Sequence, residues 1–135
     1  MPALATLAFD ERPAVVYDNW MTVVTKLAAW VVLAAVAFAT LCPVELRPHV
    51  SSPDLERFAT FAALGLIFGF AYAKKGVWFA LGIVVGSAFG LELLQLIDPS
   101  RDGRLADALF KATGGILGSV TGHLVRLMLD RRRLA

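Results

Sequence analysis

The sequence predicts an all-α protein: a four-transmembrane-helix bundle with both termini on the cytoplasmic side. Three observations lead there. Of 135 residues, 58% are hydrophobic and only 18% charged, with a mean hydropathy of +0.68, whereas a soluble domain of this length needs more charge to wet its surface. Four apolar stretches follow one another, at about residues 21–41, 58–73, 77–97 and 105–129, and about 20 residues suffice to cross the hydrocarbon core. Glycines recur at four-residue intervals in the later stretches, the spacing that lets membrane helices approach closely.

Residues 1–19 form a short cytoplasmic or interfacial segment ahead of a membrane domain over 20–130, and 131–135 form a basic cytoplasmic tail. The first span is interrupted only by Lys26. A cleaved signal peptide would want a basic leader, but Asp10, Glu11 and Asp18 outnumber Arg12 there. The loop "CPVELRPHVSSPDLER", with three prolines, excludes one continuous helix from the first span to the second. The second span is short, and the stems of Lys74 and Lys75 extend it. The third ends near Glu92. The fourth carries Asp107, Lys111, His123 and Arg126. Basic residues concentrate on the side of the termini and of the 74–76 turn, which predicts that this side is cytoplasmic.

Gly82, Gly86 and Gly90 on the third span, and Gly114, Gly118 and Gly122 on the fourth, predict that these two spans form a tight hairpin; Gly65 and Gly69 echo the pattern on the second. On a helical wheel Asp107 and Lys111 share the glycine stripe and point into the bundle, at the i, i+4 spacing of an intrahelical ion pair. Glu92 and Gln95 lie largely off the third span's glycine ridge, so Glu92 turns toward another partner, for which Arg57 is the natural candidate.

The charges therefore gather at the outward end, in "GLELLQLIDPSRDGRLADALFK" and at Arg57. Ionisable groups at membrane depth mark a functional site by default. Arg57, Glu92, Gln95, Arg101, Arg104, Asp107 and Lys111 are the candidate residues, and two readings stand. They form an outward pocket for an anionic headgroup or carboxylate, held by forked guanidinium contacts, or they neutralise one another and only hold the bundle. The sequence offers no nucleophile beside a base. His49 is in a loop, His123 lies toward the other side, and no HExxH spacing occurs, so it reads as a non-enzyme without cofactor or metal. The single cysteine, Cys42, excludes an internal disulfide. A net charge of +2 with no basic stripe excludes nucleic acid as a partner.

These motifs together resemble the VanZ-like family of small bacterial membrane proteins. "DLERFATFAALGLIFGFAY" opens a span, "ELLQ" carries Glu92 and Gln95, "DPSRDGR" makes the turn, and "DALFKATGGILG" carries Asp107, Gly114 and Gly118. The match runs over residues 54–122, with 21–41 fitting the family's preceding span. Arg57 stands where a His is usual, Ser100 replaces a turn Gly, and Lys111 replaces an Asn. The resemblance implies a bacterial inner-membrane protein of the cell envelope. The founding member is associated with reduced susceptibility to teicoplanin, and no reaction transfers from the family. Membrane lipid is the implied partner, anionic or isoprenoid-phosphate lipid at the polar cluster. A structural or assembly subunit bound to another membrane protein is the alternative, and an envelope-lipid enzyme the third.

Overall fold

The computed structural model describes residues 12–41, 52–97 and 105–134, and these are almost wholly helical. α1 runs Arg12–Leu41, α2 Pro53–Ala71, α3 Val77–Gln95 and α4 Leu105–Leu134. A 3-10 turn at Ala73–Lys75 joins α2 to α3, and Gly76 reverses the chain at φ 88°, a value that favours glycine. The prolines, cysteine and histidine of the 42–51 loop, and the turn at 98–104, lie outside the described residues.

The helices overrun the predicted spans for local reasons. α2 starts at Pro53, five residues before its expected beginning, because proline at the first helical position sacrifices no hydrogen bond. Asp54 and Glu56 in that first turn complement the helix dipole. α4 continues through the basic segment, whose Arg131, Arg132 and Arg133 occupy its last turn where cations are favoured, so residues 131–134 are helical.

Among the described residues, two helices are long and apolar enough to cross a membrane: α1 over Asn19–Leu41 and α3 over Val77–Gln95. The four spans read from the sequence thus reduce to two by this measure. Asp54, Glu56 and Arg57 crowd the start of α2, while Asp107, Lys111, His123 and Arg126 dilute α4. The two apolar windows are only 11% and 28% buried, unlike the core helices of a soluble domain.

α2 and α4 form the tightest pair, which corrects the predicted hairpin of spans three and four. A Cβ on Gly114, Gly118 or Gly122 would collide with the carbonyl oxygen of Phe58, Ala62 or Leu66 respectively. In return Gly65 and Gly69 of α2 lie against the backbone of Gly115 and Ser119. Small residues on both sides let the two backbones touch, so dispersion between closely packed backbone atoms holds the pair. Gly82, Gly86 and Gly90 play no such part, because a Cβ at each would meet nothing within 4 Å. α3 instead docks through its other face, where Ala80, Val84, Ala88 and Leu91 are buried and Val84 presses on Gly115. Phe61, Leu64 and Phe68 of α2 fill the centre, and α1 closes over them with Ala29.

Candidate functional site

The packing of α2 and α3 on α4 brings four of the predicted residues into two cross-helix ion pairs. Lys111 Nζ donates to Glu92 Oε2 at 2.7 Å, with the side chains only 4% and 8% exposed. Their interiors explain the choice: Glu92 follows Leu91 on the buried face of α3, and Lys111 precedes Ala112 on the buried face of α4. Taking two ions from water is expensive, and only short, charge-assisted contacts offset it. Arg57 Nη1 lies 2.8 Å from Asp107 Oδ1 and 3.2 Å from Asp54 Oδ1, so α2 clasps α4 at its beginning. This second pair sits nearer solvent, with Arg57 31% and Asp107 13% exposed at the side chain.

The sequence expected Glu92 to meet Arg57, and Asp107 to pair with Lys111 within one helix. The structure exchanges these partners. Arg57 sits at the start of α2 and reaches the first turn of α4, while Lys111, one turn further on, meets α3. Interhelical partners at 2.7 and 2.8 Å leave the i, i+4 acid–base spacing of Asp107 and Lys111 unused. Gln95 goes elsewhere again. Its Nε2 donates 3.0 Å to the Thr40 carbonyl, tying α3 to the end of α1. Glu92 and Gln95, on adjacent turns of one helix, therefore bind two different neighbours. Arg101 and Arg104 lie outside the described residues.

One polar group missed from the sequence, Ser119, also lies in the close α2–α4 contact, next to His123. Ser119 Oγ and His123 Nδ1 are buried and have no hydrogen-bond partner among the described residues. Their i, i+4 spacing follows the backbone of α4 past Gly69, which leaves no room for a longer side chain. Ser119 resembles a small packing residue in this setting, and only its position beside the glycine stripe could have drawn notice.

Among the described residues no group of three or more histidine, cysteine or carboxylate side chains is placed to hold a metal. Chemically, the end of the bundle where α2 and α4 begin carries a layer of paired charges: Asp54, Glu92 and Asp107 against Arg57 and Lys111, three acids to two bases in the described ion pairs. Such a layer can fix the register of helices, and the described part of it holds no positive surplus for an anion. Compared with family models, with curated proteins and with solved structures, the chain gives no match.

Proposed function

We propose that the chain is a VanZ-like, multi-pass integral protein of the bacterial inner membrane, with four spans and cytoplasmic termini. It acts as a structural or assembly component, and its outward charge layer locks the bundle. The observation that carries this reading is the mutual burial of Glu92 and Lys111 across α3 and α4. A buried pair contributes little net stability but punishes every arrangement that separates it, which suits a device for register.

The membrane setting is supported by what the helices leave uncovered. Phe38 on α1 is 74% exposed, Trp78 on α3 82% and Leu105 on α4 70%, and Ile97 just past α3 is 76% exposed. A soluble monomer rarely shows apolar surface on this scale, and lipid or a partner helix is its natural cover. α2 and α4, which are not among the two candidate spans, hold each other, and the span-forming α1 and α3 pack against them. The VanZ-like reading gains support from Glu92 and Gln95, whose shared motif bridges two helices here.

The test has two arms. Alkaline carbonate should leave the chain in the membrane pellet; release into the supernatant refutes the membrane reading. In detergent, Glu92→Gln or Lys111→Met alone should destabilise the fold by about 3–5 kcal/mol, and the double variant should recover most of that. A double variant that folds like the wild type yet loses native anionic lipid would instead make the layer a binding site.

A further inference from the structure

At the opposite end of the bundle the charges are arranged differently. Lys26 of α1, Lys74 and Lys75 of the α2–α3 turn, and Arg126 of α4 all line one cavity of about 30 Å³, together with Thr22, Thr25 and Tyr72. Among the described residues, only Arg126 has a carboxylate here, Asp130 at 3.1 Å. Among the described residues that line the cavity or pair with its lining, four cations face one acid, whereas the described ion pairs at the other end hold three acids for two bases.

Aromatic rings order three of these cations, Lys26, Lys75 and Arg126, without neutralising them. Lys26 Nζ stands 5.6 Å and Lys75 Nζ 6.0 Å from the Tyr72 ring centre, and Lys75 is 4.7 Å from that of Phe79. The Arg126 guanidinium lies 5.2 Å from the Phe70 ring, with its side chain only 12% exposed. Tyr72 is itself fixed, stacked on Phe68 and accepting a 2.8 Å hydrogen bond from Trp30 Nε1. Cation–π contact orders a lysine but leaves its charge and its N–H donors available. Cations of one sign ordered about a cavity repel one another until an anion joins them. A signal for membrane orientation alone would need only cations beside the spans, not their convergence from three segments of the chain.

We infer that this cavity is a phosphate site for an anionic phospholipid, with Lys26, Lys74, Lys75 and Arg126 gripping the headgroup. The lipid is the source of the phosphate because the site borders the apolar faces of α1 and α3, where Val23 and Leu27 on one side and Trp78 on the other are exposed. An acyl chain can lie along such a face while the phosphate is held at its end. The inference rests on the membrane reading above, but not on the charge layer at the other end.

The test uses the full chain, purified in a neutral detergent and given equimolar phosphatidylglycerol and phosphatidylcholine, with retained lipid read by native mass spectrometry. The wild type should hold phosphatidylglycerol preferentially. Lys26→Gln/Lys75→Gln should weaken that retention about 30-fold, the factor two such cations supply near an anionic headgroup. Lys74→Gln/Lys75→Gln, confined to exposed positions, serves if the first pair fails to fold. Arg131→Gln, on the basic end of α4 but outside the cavity, should retain the lipid. Equal retention of the two lipids overturns the inference. So does an equal loss in Arg131→Gln, which would mean diffuse surface charge, or full displacement by inorganic phosphate, which would mean a soluble ligand. A chain that resists carbonate extraction but shows no lipid preference sinks this inference alone; one that carbonate releases sinks the membrane reading first.

Discussion

Gly118→Ala and Gly86→Ala should have opposite effects, although both positions are the middle members of identical glycine ridges. At Gly118 the added Cβ would overlap the Ala62 carbonyl oxygen, and would stand 2.8 Å from the carbonyl carbon and 2.9 Å from Leu66 N. Carbon atoms rest at about 3.5–4.0 Å, so α2 and α4 would have to part by about 1 Å. The obstructing atoms are backbone and cannot rotate aside, and the same separation would loosen the contacts at Gly114 and Gly122. Overpacking of this kind costs about 1–3 kcal/mol, against about 1 kcal/mol gained in helix propensity, so a net loss of up to about 2 kcal/mol is expected. At Gly86 nothing lies within 4 Å, which leaves only the propensity gain, up to about 1 kcal/mol. Thermal unfolding of the two variants in one detergent, followed by size-exclusion fluorescence, reads the difference. If Gly86→Ala is the destabilised variant and Gly118→Ala melts like the wild type, then α3 and α4 are the close pair and the helix arrangement described above is wrong.

Ser119→Ala should be neutral, or stabilising by up to about 1 kcal/mol, because it removes a buried hydroxyl that has no partner among the described residues; a clear loss of stability would reveal a hydrogen bond at that site. Gln95→Ala should cost about 1 kcal/mol and release the end of α1, seen as faster amide hydrogen exchange over residues 36–41 with α2 and α4 unchanged. Unchanged exchange in α1 would mean that the bond to Thr40 does not hold that helix.

Much of the architecture was legible because helix formation is local. Apolar runs of sufficient length, the breaker at Gly76 and the prolines before α2 marked four helices in their correct order. The boundaries were less legible: Pro53 looked like the end of a loop, yet proline can open a helix as readily as interrupt one. The length and apolarity that a span needs were legible for α1 and α3, whose windows carry few charges, and less so for α2 and α4, where charged residues interrupt the apolar runs. The polar cluster was legible as a gathering of Arg57, Glu92, Asp107 and Lys111, but its partners were not. Any acid there had several bases within reach, and only the axial offset of the helices decides which meet. The cationic end was read as a signal for orientation, since nothing in the chain order links Lys26, Lys75 and Arg126 to one tyrosine.

The sequence by itself determined that this is a helical, unusually apolar protein, with glycine ridges at four-residue pitch and charge concentrated at particular helix ends. These properties belong to single segments, and helical period and hydropathy express them without reference to the rest of the chain. Only the tertiary structure decided that α4 packs on α2 and leaves the α3 ridge open, and that Lys111 takes Glu92 while Arg57 takes Asp107. The reason is that a glycine ridge is met by backbone carbonyls, here those of Phe58, Ala62 and Leu66. Every residue has one, so the sequence cannot say which helix will present it.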